Sequence, residues 1–160
     1  MVNVEKAKSS FQLIGHVIQR FNMKNEFLQI LDNDANLIRS ISADYEIKGI
    51  ELNENGWIGS ILLHVKCTVR DKKKHKISIS STIEGVFGAP SDMEEASFVK
   101  MLGINGCASL YSIMRSFIIS VTGQSLHAGK IVIPMLNFFE LKEQKDLVKK
   151  KPTMDSGKPE

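Results

Sequence analysis

The sequence predicts an α+β domain, a four-stranded antiparallel sheet backed by two main helices. Three observations carry this. From Trp57 to Val69 the odd positions are apolar (Trp57, Ile61, Leu63, Val65, Cys67 and Val69), with Gly59 the exception. The even positions include Ser60, His64, Lys66, Thr68 and Arg70, which is the two-residue period of a strand with one face on a core. After the basic connection Asp71 to Lys76, Ile77, Ile79 and Ile83 resume the alternation, with Ser81 in one inward place. Beyond Phe87 the period becomes helical: Cys107, Leu110, Tyr111, Met114, Phe117, Ile118 and Val121 share one face.

The elements follow in order. Phe11, Leu13 and Val17 open an extended segment that runs through Ile18 to Phe21, and Gly15 inside it predicts a bulge or a close backbone approach. Phe27 to Leu31 is short and apolar and breaks at Asp32-Asn33-Asp34, as a strand end or a crossover loop. A second extended run covers Leu37 to Leu52. Asn53-Glu54-Asn55-Gly56 then turns the chain into the Trp57 strand as a hairpin. The strands read as an antiparallel meander with a crossover loop.

Gly88-Ala89-Pro90 ends the sheet. Ser91 with Glu94 forms a capping-box pattern, predicting a short helix to about Met101 that Gly103 stops. Asn105 caps the long helix in this reading, and Gly123 closes it. Residues 126 to 133 read as loop or short extended chain. Pro134 is placed in the first turn of a last helix, Met135 to about Lys149. Residues 1–10 are expected to be flexible, 11–149 to form one domain, and 150–160 to be a disordered basic tail.

Composition narrows the classes. A chain of 160 residues with 42% hydrophobic content builds one core of ordinary size. The net charge of +3 is too small to imply a polyanionic partner by itself. Lys72 to Lys76 could touch nucleic acid or a membrane, but it lacks interleaved aromatics and a solvated hairpin tip explains it as well, so no nucleic-acid partner is expected. The two cysteines, Cys67 and Cys107, fall at apolar positions, which fits buried free thiols rather than a disulfide framework. Residues 1–10 hold no apolar run of signal-peptide length. Ile104 to Val121 contains Asn105 and Arg115 and reads as a core helix rather than a bilayer span. The expectation is a cytoplasmic protein with no membrane insertion.

No catalytic constellation is legible. The histidines, His16, His64, His75 and His127, offer no helical metal pair, so neither metal nor cofactor is expected. Cys107 near a helix start is the one candidate nucleophile, and it has no histidine near it in sequence. The chain is read as a binding protein, not an enzyme.

Two surfaces stand out instead. Asn105, Ser109, Ser112, Ser116 and Ser120 form a second stripe on the long helix, flanked by Tyr111 and Arg115. Solvated helix faces normally carry Lys and Glu, so Ser109, Ser112, Arg115, Ser116 and Ser120 are read as a contact between subunits. Phe27, Leu28, Ile30 and Leu31 neither alternate nor fit a helix, and Leu136, Phe138 and Phe139 crowd a helix start. These seven are read as lining an open apolar groove.

The order of these features resembles the protein-export chaperone family of SecB. Phe11-Gln12 with Ile18-Gln19-Arg20 is similar to the family's first strand, and Gly85-Val86-Phe87 to its Gly-Ile-Phe strand end. Leu102-Gly103, Cys107, Leu110, Arg115 and Ile118 match its Leu-Gly…Cys-Pro helix pattern, with Ala108 where the family has proline. Asn137-Phe138 to Leu141 resembles its Val-Asn-Phe-Asp-Ala-Leu motif. The resemblance implies an ATP-independent holdase, assembled as a homotetramer, that binds unfolded client polypeptides in apolar grooves for protein export. It also implies docking of the motor SecA through carboxylates on the sheet face. Here Ser78, Ser80, Ser81 and Thr82 lack those carboxylates, and Glu84 is the acid nearby. The alternative within the family is a chaperone dedicated to the antitoxin of a toxin–antitoxin pair.

Overall fold

The computed structural model describes residues 9–26, 37–70, 76–126 and 130–150. Four long strands form one antiparallel sheet: β1 (Gln12–Asn25), β2 (Ile38–Asn53), β3 (Gly56–Arg70) and β4 (Lys76–Ala89). Their order is β1-β4-β3-β2. The meander therefore holds for β2, β3 and β4, while β1 lies against β4 at the opposite edge from β2. The apolar segment Phe27 to Leu31 and the lysine run from Lys72 to Lys74 fall outside the described residues.

Register explains the patterns. Gly56 closes the β2–β3 hairpin at φ 118°, a conformation that disfavours any side chain. Asn53 Oδ1 accepts from the Asn55 N–H at 2.9 Å in the same turn. Ile14 is the extra residue at the bulge between Leu13 and Gly15, as Gly15 predicts, and a second irregularity falls between Ile18 and Arg20. These breaks in strict alternation hide the full length of β1, which runs on to Asn25. On β3 and β4 the inward positions 61, 63, 65, 77, 79, 83 and 87 are buried. Ser81 is buried among them and donates its hydroxyl to the Val65 carbonyl at 3.3 Å, so its polarity is satisfied.

One face of the sheet carries a continuous helical rod: α1 (Glu95–Met101), a π turn (Leu102–Gly106) and α2 (Cys107–Ser125). Several sequence expectations fail here. The capping box does not form, because Pro90 to Met93 closes its own turn, with the Met93 N–H on the Pro90 carbonyl at 3.2 Å. Helix starts only at Glu95, after an N-cap Glu94 that makes no side-chain cap. Gly103 does not stop the helix and Asn105 does not cap a new one. Gly103 is glycine because Tyr45 leaves little room: an added Cβ would lie 3.2 Å from the Tyr45 hydroxyl. Gly123 is interior too, since α2 continues to Ser125. The rod Glu95–Ser125 is long and apolar enough to cross a membrane, yet half of its most apolar window is buried in the fold.

Two inward glycines set the crossing of rod and sheet. A Cβ on Gly59 would meet Leu102 at 2.7 Å and Phe98 at 2.9 Å, and one on Gly85 would meet Leu110 at 2.6 Å. Gly59 is thus the exception in the β3 pattern because the rod comes too close there for a side chain. Trp57 locks this end, donating from its indole nitrogen to the Met93 carbonyl at 2.7 Å and stacking on Phe98. Phe11 stacks on Phe87 and meets Phe98 edge-on, sealing β1 to the same cluster.

Candidate functional site

The chain leaves α2 and returns along it before entering α3 (Phe138–Lys150). Ile131 and Ile133 point inward and are buried, while Val132 between them is 48% exposed. Two side chains of α2 hold this returning segment. Tyr111 donates its hydroxyl to the Pro134 carbonyl at 2.6 Å, and Arg115 donates Nε to the Ile133 carbonyl at 2.8 Å. Burial pushes the Tyr111 hydroxyl up to about 12, well beyond its usual range, so it remains a donor. Arg115, read from sequence as an interface residue, is directed at its own chain.

The last helix starts later than expected. Pro134 lies before it, and Asn137 is the cap: its Oδ1 accepts from the Phe139 N–H at 3.1 Å, and its carbonyl from Leu141. Residues 134 to 136 stay extended because Pro134 and the Tyr111 bond fix them along α2. Lys145 ties α3 to β2. Its Nζ lies 2.5 Å from Asp44 Oδ1, donates to the Tyr45 carbonyl, and stands 4.5 Å from the Tyr45 ring centroid.

Between α2 and the start of α3 lies a concavity of about 390 Å3. Its floor is Ile104, Ala108, Leu136 and Phe138, and its rim is Asn105, Ser109, Asn137 and Phe139. No charged side chain lines it. The π turn contributes the floor, because its wider backbone turn buries Leu102, Gly103, Ile104 and Gly106 while Asn105 stays out. Such a site offers apolar contact and a few amide and hydroxyl groups, with no nucleophile, acid or base.

The structure thus sorts the sequence-predicted residues. Leu136, Phe138, Phe139 and Ser109 come together around one concavity. Phe138 is only 5% exposed and meets Tyr111 edge-on, so it supports the floor from within the core instead of offering open surface. Phe139 is 62% exposed. Phe27, Leu28, Ile30 and Leu31 lie outside the described residues. Ser109, Ser112, Ser116 and Ser120 are all exposed along α2, with the Ser112 and Ser116 hydroxyls bonded to carbonyls one turn back at 2.9 and 3.0 Å. Two exposed apolar side chains were missed in the sequence reading: Met135, 71% exposed and next in sequence to Leu136, and Val132. Neither carries a local pattern: Val132 sits in an unbroken apolar run, Ile131-Val132-Ile133, and Met135 stands between Pro134 and Leu136.

Cys107 is fully buried, and burial pushes its thiol up to about 12. It is not presented as a nucleophile. Among the described residues no His, Cys, Asp and Glu group could hold a metal ion.

No family model and no curated protein matches the sequence. Solved structures do match the fold. The SecB-like chaperone Rv1957 of Mycobacterium tuberculosis, solved with a ChAD peptide from the Rv1956 HigA1 antitoxin, superposes with a TM-score of 0.63 at 10% identity, over 79% of this chain and 91% of that one. A protein of unknown function from Streptococcus agalactiae aligns with a TM-score of 0.47 at 12% identity, over 78% of this chain and 96% of that one. An antiparallel four-stranded sheet with its helices on one face, superposing on the first of these over most of both chains, gives this chain the SecB-like fold.

Proposed function

We infer that the chain is a polypeptide-binding chaperone that holds non-native segments without nucleotide. The observation that carries this is the uncharged concavity with Phe139 exposed on its rim, and Met135, next in sequence to its lining residue Leu136, exposed as well. Large apolar side chains held open on an ordered scaffold usually mark an interaction surface. Apolar contact at ~25 cal/mol per Å2 favours clients by composition rather than sequence, which is what a holdase needs. The SecB-like fold supports the reading.

Assembly belongs to the same proposal. α2 presents Ser109, Ser112, Ser116 and Ser120 outward, with the nearby Arg115 turned to its own chain. A homotetramer would cover this face with a second copy and extend the client surface across subunits. Two buried free thiols fit a cytoplasmic site of action.

A second reading, a chaperone dedicated to one antitoxin, is supported by the antitoxin peptide bound to the structural neighbour. An export role would need a partner for the outer sheet face, where Ser78, Ser80 and Thr82 offer no carboxylates for the motor SecA.

The test is suppression of aggregation. Light scattering of a reduced, aggregating client should fall in the presence of the chain without ATP. No suppression at any ratio would contradict the general holdase. A client limited to an antitoxin encoded beside the gene would select the second reading.

A further inference from the structure

The outer face of the sheet, away from the helices, holds a second concavity of about 580 Å3. Register builds it. Arg20 of β1 pairs with Thr82 of β4, Thr82 with His64 of β3, and His64 with Asp44 of β2, so these four form one row across the sheet. Lys66 stands in the next row, between Ser80 and Ser42. With strands ~4.8 Å apart, a row spans ~14 Å.

The charges in it are unequally engaged. Asp44 is taken up by Lys145. Glu84 and Glu46 flank Leu62 in the adjoining row; Glu84 accepts from Gln19, and Glu46 lies 2.9 Å from Lys48. Arg20 and Lys66 have no ion-pair partner among the described residues. The concavity therefore presents two uncommitted cations over serine and threonine hydroxyls. Thr82 and His64 are already fixed to each other, Oγ1 to Nδ1 at 3.0 Å. Leu62, only 8% exposed, gives the floor an apolar centre.

We propose that this face docks a short acidic polypeptide segment, whose carboxylates pair with Arg20 and Lys66. Charge complementarity selects the acid. The span selects a chain over a lone small anion: Arg20 and Lys66 stand two strands and one row apart, ~12 Å between backbones, which an extended chain at ~3.3 Å per residue covers in about four residues. The site lies on the opposite face of the sheet from the α2–α3 concavity and does not rest on the holdase reading.

The test is fluorescence anisotropy of the full chain with a short labelled peptide of alternating glutamate and alanine. A lysine–alanine peptide and inorganic phosphate are the comparisons. The acidic peptide should bind, and more weakly as salt is raised. Arg20→Glu and Lys66→Glu should each weaken it roughly tenfold, and Lys100→Glu on α1 should leave it unchanged. Melts check folding. If a reversal does not fold, Arg20→Gln and Lys66→Gln remove charge alone and should still give a several-fold loss. No binding, binding insensitive to both outer-face variants, or equal binding of the lysine peptide overturns the proposal. Phosphate binding with the same variant sensitivity, but no peptide binding, would overturn it in favour of a small-anion site.

Discussion

Lys145 of α3 reaches Asp44 on the edge strand β2, Nζ to Oδ1 at 2.5 Å, and its ammonium also lies over the ring of Tyr45. This one side chain fastens the last helix to the sheet. Burial alone would raise the Asp44 carboxyl. Hydrogen bonds from Lys145 and the Tyr45 N–H, with the charges of Lys145 and His64, more than offset it and hold it below its ordinary range. A depressed carboxyl contributes stability above its unfolded value, near 4, and loses it as pH falls through the folded value. Lys145→Met should cost about 1 kcal/mol or less near neutrality, because the pair is partly exposed. It should also reduce the acid-side loss of stability below about pH 4. Urea melts across that range check both, and hydrogen exchange should show faster opening of α3.

The crossing of rod and sheet has no spare volume. Gly85→Val would drive a side chain into Leu110, where a Cβ alone already stands at 2.6 Å. Overpacking of this kind typically costs ~1–3 kcal/mol, seen as a lowered thermal midpoint. An unchanged midpoint would mean that the rod shifts freely.

The thiols should be silent in the native state. Cys107 is fully buried and Cys67 is 5% exposed, and burial raises both. A chromogenic disulfide reagent should label neither until denaturant is added. Fast native labelling would show that the rod opens.

Replacing Ser112 and Ser116 by leucine should crowd the outward face of α2 without touching the core. If a second copy covers that face, the double variant should scatter as a smaller species while its circular dichroism is retained. An unchanged mass would remove the serine face from the assembly.

Most of the sheet was legible because β3 and β4 alternate strictly over long runs, and the Asn53 to Gly56 turn carries its own chemistry. β1 was shortened in the reading because its two irregularities break the alternation. The helical rod was cut in two because Gly103 and Asn105 look like punctuation, whereas close packing on Tyr45 and a π turn explain them. Leu136 and Phe139 were visible as apolar residues in excess of one helical stripe. Phe138 belonged to the core, a distinction that depends on Tyr111 lying beside it and not on local pattern.

That distinction yields the most direct measurement. Phe138 and Phe139 are adjacent and chemically identical, yet one is 5% exposed and the other 62%. Phe138→Ala should cost ~3–5 kcal/mol, as for a buried aromatic. Phe139→Ala, and more strongly Met135→Ser with Phe139→Ala, should leave the melt within a few degrees of the parent. Thermal melts should be paired with light scattering of a reduced, aggregating client at matched folded concentration. The double variant should melt like the parent and suppress aggregation markedly less. A double variant that is equally stable and holds the client as well as the parent would contradict the assignment of this surface to client binding.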